Sequence, residues 1–328
     1  MPNSGTQRGG ALLTVLWLTA ALTAIAFSVA TTVRTETEKT STHLEQTRAY
    51  YLATGALDRA LLWMLWGPGP RRPDGGPMFY EPGTPLLPMV FPTGVATVEI
   101  IPESSRLNVN RATVQELMRL FTAMGVPGER AQILVEAILD WRTAGGMGGA
   151  LDQHYLALGP AFRRPHAAFE LIEELLYVRG VTPDLFYGTW VRNANGVLVR
   201  LPGLKDCLTV YGAGDAYDIN TAALPVLVAI GVPPEVAAAI VARRTARPFL
   251  NAAELGEVMG AAGAGVRLRV GGNSVYTLRA TATLRVAGAG MVSDVRRSAA
   301  MVVKFNNNLK EDLTPYWVLR WYDNAATN

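Results

Sequence analysis

The chain has 328 residues, of which 49% are hydrophobic and 17% are charged. This length is enough for a sizeable core and two structural units. The net charge of only +3 does not by itself indicate a nucleic-acid-binding protein. The single cysteine, Cys207, excludes an intrachain disulfide and a cysteine metal cage. Free cysteines are usually buried as small apolar residues, so we expect Cys207 in a core.

The N-terminal region contains a long apolar run. No charged residue occurs between Gly9 and Val33, and a helix needs roughly 20 mostly apolar residues to cross a bilayer. The apolar region of a signal peptide is usually shorter. Residues 10–33 are therefore predicted to form one transmembrane helix. Arg8 precedes the run, which places the N-terminus in the cytoplasm by the positive-inside tendency.

This helix is predicted to continue past the membrane to Trp66, because residues 35–66 contain no proline and only one glycine. It would be about 85 Å long at 1.5 Å per residue. The stretch GPGPRRPDGGP then ends it. Apolar residues recur in its second half at spacings near three and four, which predicts an amphipathic stripe. The predicted assembly residues of this stripe are Leu52, Leu57, Leu61, Met64 and Leu65, which we expect to be shared between the folded domain of the chain and its assembly partners.

A short leader that ends in glycine before an apolar helix resembles the type IV pilin and pseudopilin family. The resemblance implies that residues 1–9 are a leader, and that a prepilin peptidase cuts between Gly9 and Gly10 and methylates the new N-terminus. Glycines suit such a site because a backbone without side chains can extend into a narrow protease groove. A plain single-pass anchor, in which the two glycines are accidental, is the alternative.

One position departs from most of that family. Its members usually carry a glutamate as the fifth mature residue, where this chain has Thr14. That carboxylate is thought to neutralise the amino terminus of a neighbouring subunit in the membrane. The minor pseudopilin K family of type II secretion typically lacks the glutamate, and RGGALLTVL resembles its start. The resemblance implies that Thr14 belongs to a subunit that leads the assembly.

Two later segments, 107–142 and 218–244, echo each other. Each begins with Asn-x-Ala, at Asn110 in the first segment and at Asn220 in the second. An apolar helix, a Gly-Val-Pro turn and a second helix follow in each. Asparagine suits helix starts and proline suits first turns, so the segments predict two helical hairpins.

The hairpins also resemble the helix-hairpin-helix module, which binds the DNA backbone. Its second turn glycine is replaced here by Pro127 and Pro233, which have no N–H to offer a phosphate. Because these donors are missing, nucleic acid is not the expected partner. The alternative function is a membrane-anchored DNA-uptake protein that uses Arg243 and Arg244.

The region 138–188 resembles the all-helical insertion of the K family, and the overall resemblance extends from Arg8 to about Lys304. It depends on order and spacing and not on one motif. The matching residues are Asp140–Trp141, Tyr155, Glu174, Leu175, Val178, Gly180, Val181 and Thr182.

No cofactor or metal is predicted. Some members of the family bind calcium, which needs six to eight oxygen ligands and usually several carboxylates. The available aspartates are too sparse to assign such a site; they are Asp140, Asp152, Asp215 and Asp218. No catalytic motif occurs either, so the chain is not expected to be an enzyme.

The predicted fold class is α+β: a long N-terminal transmembrane helix packed on a pilin-like antiparallel sheet, with a large all-helical insertion containing the two hairpins. Alternation and β-branched residues predict strands at 94–101, 275–288, 298–306 and 317–322. The predicted divisions are leader 1–9, membrane helix 10–33, helix continuation 34–66, sheet domain 67–105 and 266–328, and insertion 106–265.

The resemblance then implies a function. The chain would be a minor pseudopilin of a type II secretion system in the bacterial inner membrane, with its bulk in the periplasm. It would form or cap the tip of the pseudopilus and help to initiate its assembly. Its expected partners are the I-type and J-type minor pseudopilins, the major pseudopilin, prepilin peptidase and the inner-membrane assembly platform.

Overall fold

The computed structural model describes residues 8–145, 150–192, 196–212, 216–260, 265–272, 274–285, 292–306 and 314–325. Leader residues 1–7, Asp215 and positions 286–288 of a predicted strand lie outside these ranges. The helices are α1 Arg8–Trp66, α2 Val114–Ala123, α3 Gly128–Arg142, α4 Ala150–Leu156, α5 Pro183–Tyr187, α6 Leu204–Cys207, α7 Leu224–Ala229, α8 Pro234–Ala246 and α9 Ala252–Met259. The strands are β1 Leu86–Phe91, β2 Gly94–Pro102, β3 Leu107–Asn108, β4 Thr189–Arg192, β5 Leu198–Leu201, β6 Leu208–Thr209, β7 Tyr217–Asp218, β8 Leu268–Arg269, β9 Val275–Arg285, β10 Val292–Phe305 and β11 Tyr316–Tyr322.

The first 59 helical residues form one unbroken helix, α1, which confirms the predicted continuation to Trp66. The part from Gly10 to Val33 is long and apolar enough to span a membrane and is exposed along its whole length. Its threonine hydroxyls donate back to helix carbonyls, as at Thr23, whose Oγ1 lies 2.8 Å from the carbonyl of Thr19. Such internal bonds make these hydroxyls compatible with lipid.

The second half of α1 packs on a five-stranded antiparallel sheet with strand order β1-β2-β9-β10-β11. This arrangement confirms the predicted fold class of a long helix on an antiparallel sheet. Strand β1 was missed in the sequence because Pro88 interrupts its pattern. Proline is tolerated there because β1 is an edge strand, which leaves one row of N–H groups unpaired.

The core between α1 and the sheet depends on four alanines, Ala49, Ala53, Ala56 and Ala60, none of which is exposed to solvent. Their small side chains let the helix lie close to the strands. Larger residues on either side of this alanine ridge fill the remaining space. The buried sheet residues that meet them include Val98, Ile100, Leu278, Ala280 and Met301.

Between β2 and β9 the chain forms a second unit with its own hydrophobic core, and Cys207 is buried in it as predicted. This unit is not built from helices alone, which corrects one detail of the predicted insertion. It also contains the two-stranded ladders β3–β6, β4–β5 and β7–β8. Ladders of two to four residues are too short to produce a periodic pattern in the sequence.

Both predicted hairpins are present, as α2–α3 and α7–α8, and they share one local design. The side chain of Asn110 makes two hydrogen bonds with the backbone of Phe169, at 2.8 and 2.9 Å. Asn220 makes the same pair of bonds with Phe249, both at 2.8 Å. Each asparagine therefore fastens the start of its hairpin to a distant loop.

An arginine closes each hairpin from its second helix. Arg142 donates to the carbonyls of Val109 and Ala112, and Arg244 donates to the carbonyl of Ile219 at 2.6 Å. These guanidinium groups satisfy carbonyls that would otherwise be buried without a donor, which is expensive.

Asp218 offers a test of this second core. Its buried carboxylate accepts hydrogen bonds from the N–H of Gly271 at 2.8 Å and the hydroxyl of Thr221 at 2.5 Å, and burial raises its pKa. An acid with a raised pKa binds its proton more tightly in the folded state. Stability therefore falls as the pH rises from the unfolded value, about 3.9, through the folded value.

We expect Asp218→Asn to remove this fall in stability, because the amide that replaces the carboxyl group does not titrate. The corresponding residue of the first hairpin, Asn108, is already a neutral amide. Unfolding free energies of the full chain in detergent, measured across pH, check this. Exposed Asp184→Asn is the matched control. The expectation is contradicted if wild type and the Asp218→Asn variant show parallel pH profiles.

Candidate assembly interface

The structure places an apolar row on the side of α1 that faces away from its sheet. Leu44, Tyr51 and Leu62 lie on one side of the helix, because seven and eleven residues make about two and three turns at 3.6 residues per turn. Tyr51 is 69% exposed, and Leu65 and Trp66 extend the same side at the end of the helix. We call these five residues the outward row; one exposed charged residue, Asp58, lies on the same side seven residues after Tyr51.

The predicted stripe lies mostly on the opposite side of α1. Leu52, Leu57 and Leu61 are buried in the core beneath the sheet, and Met64 is half-buried against it. Those three leucines are therefore used inside the subunit, and a neighbour can reach only Leu65 of the predicted set without disturbing this core. The expected contact of this stripe with the sheet of the subunit is therefore present, and Ala56 and Ala60 lie in the same core. Its contact with neighbouring subunits stays a prediction.

Gly55 lies within the outward row, between Tyr51 and Leu62. Apart from its chain neighbours and the backbone of its own helix, no atom of the described residues lies within 4 Å of the position that a Cβ would occupy there. A glycine inside a helix destabilises it by about 1 kcal/mol relative to alanine. Nothing in the described part of the chain requires this glycine, whereas a small residue on an exposed helix face lets a second helix approach closely.

A second apolar surface is formed by β11, the last strand of the sheet. Trp317, Val318 and Trp321 are each more than a third exposed. The hydroxyl of Tyr50 and the indole N–H of Trp321 both donate to Asp323, at 2.7 and 2.8 Å, which ties the end of β11 to α1. These two hydrogen bonds lower the pKa of the Asp323 carboxyl. The strand is held beside the helix while its apolar edge remains uncovered.

The residues predicted for processing lie at the beginning of α1. The backbone of Gly9 and Gly10 forms part of its first turn, since the helix begins at Arg8. Thr14 is exposed, and its hydroxyl donates to the carbonyl of Ala11 at 2.8 Å. Beyond the membrane segment, the first charged side chains pair with each other, Arg34 with Glu38 at 2.9 Å and Lys39 with Glu36 at 2.8 Å.

The hairpin arginines are occupied within the chain. Arg243 pairs with Glu254 at 3.1 Å and lies over the ring of Phe249 at 4.4 Å. Arg244 bonds the carbonyl of Ile219, and burial lowers its pKa. Their internal roles leave these two cations poorly placed for DNA phosphates, and the two turns carry Pro127 and Pro233 as expected. The structure thus gives no support to the DNA-uptake alternative.

The described aspartates that were considered for calcium contact other groups of the chain. Asp140 and Asp152 both contact the guanidinium of Arg164, whose side chain is 1% exposed, so a cation already sits between them. Asp218 is held by Gly271 and Thr221, far along the chain from this pair. Among the described residues, no cluster of three histidine, cysteine or acidic side chains could hold a metal ion.

Comparison with known proteins identifies the relatives of the chain. Residues 98–187 match the family model for protein K of the type II secretion system. The type II secretion system protein K of Pectobacterium carotovorum subsp. carotovorum is 28% identical over 202 residues. That match covers 55% of this chain, and the chain spans about 60% of the length of this curated relative.

The fold has a counterpart among solved structures. A chain in the crystal structure of the GspK-GspI-GspJ complex from the type 2 secretion system of enterotoxigenic Escherichia coli matches with a TM-score of 0.56. The match covers 88% of this chain and 100% of that one at 16% identity, so it is evidence of a shared fold. The resemblance drawn from the sequence is therefore confirmed: this chain is similar to protein K of the type II secretion system in sequence and in fold.

Proposed function

We propose that this protein is a non-enzymatic minor pseudopilin that is anchored in the bacterial inner membrane and takes part in type II protein secretion. The observation that carries the proposal is the outward row of α1. It continues an exposed apolar membrane segment into the folded domain, on the side that the sheet of the subunit leaves open. Such a helix can anchor the subunit and pack against the helices of its neighbours at the same time.

The partners follow from the relatives. The neighbouring crystal structure holds GspK together with GspI and GspJ. We infer that the I-type and J-type pseudopilins pack on the outward row of this chain and on β11, that the major pseudopilin follows below them, and that the inner-membrane platform assembles the filament. The N-terminus lies in the cytoplasm and the folded domain in the periplasm.

A position at the tip is supported by two features. The second unit, inserted between β2 and β9, adds bulk beside the pilin-like sheet and would obstruct a subunit stacked above it. Thr14 replaces the glutamate that would neutralise the amino terminus of a subunit ahead. A leading subunit has no such neighbour, and this role includes helping to initiate assembly.

The first prediction from this proposed function concerns processing. We expect mass spectrometry of the membrane-extracted protein to find an N-methylated terminus at Gly10. The bond lies in the first turn of α1, where two glycines favour the unwinding that a peptidase requires. Gly9→Val should block cleavage, whereas the matched change Gly10→Ala should leave it largely intact. A chain that still starts at Met1 in cells with active prepilin peptidase would show a plain anchor.

The second prediction concerns Gly55. Gly55→Ala should stabilise the isolated subunit by about 0.5–1 kcal/mol, because the helix gains and nothing nearby clashes. Gly55→Leu should leave the subunit folded but reduce its co-purification with co-expressed I-type and J-type pseudopilins. His43→Leu, at an exposed position outside the outward row, is the control. Undiminished co-purification of the Gly55→Leu variant would remove the outward row as the interface.

The third prediction concerns Thr14. A carboxylate without a partner in the bilayer costs about 2.5–3.5 kcal/mol on insertion scales, so Thr14→Glu should hinder incorporation into the minor-subunit complex or leave it unchanged. Thr14→Ser, which keeps the hydroxyl, is the control. The measurements are secretion efficiency and cross-linking to the I-type subunit. Clearly improved assembly would place the subunit within the filament body and not at its tip.

A further inference from the structure

The ladder β4–β5 is a two-stranded ribbon that contributes nothing to either hydrophobic core. We call its described residues, 189–192 and 196–201, the blade. Its two strands pair antiparallel, with Trp190 opposite Arg200 and Val191 opposite Val199. Trp190 is 60% exposed, and the other large apolar side chains of the blade are also exposed: Val191, Val197, Leu198, Val199 and Leu201.

The apolar side chains lie on both faces of the blade. Residues opposite each other in an antiparallel pair share a face, and successive residues alternate. Trp190 and Leu198 therefore lie on one face, and Val191, Val199 and Leu201 on the other. Neither strand pairs with a further strand within the described ranges, so each has an open outer edge. A two-stranded ribbon of this kind is at best marginally stable alone in water.

The base of the blade, by contrast, is fixed. A Cβ on Gly188 would lie 2.4 Å from the carbonyl oxygen of Leu201, and one on Gly203 would lie 2.3 Å from the backbone N of Gly188. The guanidinium of Arg200 bonds the carbonyl of Tyr187 at 3.0 Å and Asp206 at 2.8 Å. The fold therefore holds the apolar ribbon away from the body through a tightly packed stem.

The charge around the blade is unbalanced. From Tyr187 to Cys207 the chain carries three cations, Arg192, Arg200 and Lys205, against one carboxylate, Asp206. Burial lowers the pKa of Lys205, and the positive charges of Arg200, Arg279 and Arg106 lower it further against the opposing effect of Asp206. Arg200 is paired with Asp206, and Arg279 and Arg106 are paired with Glu99 and Glu103. The excess positive charge at the blade is therefore that of Arg192 and Lys205, which favours an acidic group.

We propose that the blade docks an extended, acidic and apolar segment of another protein, which pairs as a third strand at one of its open edges. An added strand places alternate side chains on both faces, so it covers both apolar rows at once. A helix or a lipid surface covers only one face. A second copy of this chain would bring its own Arg192 towards the first, and like charges oppose that pairing.

This proposal goes beyond the proposed function and is tested with the full chain in detergent. The probe is a short peptide that alternates valine with glutamate, and its matched control carries lysine in place of glutamate. We expect the acidic peptide to bind at least about tenfold more tightly and to protect the amides of Thr189–Arg192 or Leu198–Leu201 from hydrogen exchange. Arg192→Glu should reverse the preference between the two peptides.

Further variants make the test specific. Trp190→Ser should abolish binding without changing the unfolding temperature, since the blade lies outside both cores. Tyr177→Ser, at an exposed aromatic residue elsewhere, should leave binding intact.

Equal binding of the two peptides, no binding, or no protection of the blade would overturn the proposal. So would self-association through the blade, or its protection by anionic lipid vesicles alone. Co-purification with I-type and J-type subunits is scored separately, so the two proposals fail independently.

Discussion

The close packing of α1 on its sheet is the constraint on which the rest of the structure depends. The alanine ridge brings the helix against β9 and β10, and the leucines beside it fill the rest of the buried contact. Because this contact uses one side of the helix fully, the opposite side is fixed in direction. The same contact therefore anchors the membrane segment to the folded domain and decides which residues of α1 can meet a neighbouring subunit.

The second unit is joined to the sheet by a buried carboxylate. Glu103 is 2% exposed and accepts hydrogen bonds from Arg106, Thr209 and Thr277, which belong to the connecting segment, the inserted unit and the sheet respectively. Removing one partner of such a buried charge leaves it uncompensated, which is strongly destabilising. This arrangement gives the inserted unit a defined position on the sheet.

The features that the sequence predicted well are those with long or repeated patterns. The 59-residue helix, the main strands and the paired hairpins each extend over enough residues for periodicity to be visible. The sequence predicted that Leu52, Leu57 and Leu61 pack on the folded domain, and these residues are buried there. The exposure of Tyr51 on the other side of the helix goes against the usual ranking by hydrophobicity. Likewise, nothing in the sequence shows that Asn220 reaches Phe249, since that pairing exists only once the loops have folded together.

Most of the hairpin arginines bind groups within the chain, and this determines which surfaces are left to bind partners. In the hairpins, Arg142, Arg243 and Arg244 are taken up by buried carbonyls and by Glu254. The hairpins resemble a DNA-binding module, but in this chain their arginines bind groups of the same chain and stabilise its loops. The surfaces left open are instead apolar: the outward row, the edge of β11 and the blade. Recognition by this subunit should therefore depend mainly on packing and strand or helix pairing, with charge acting as a selector at the blade.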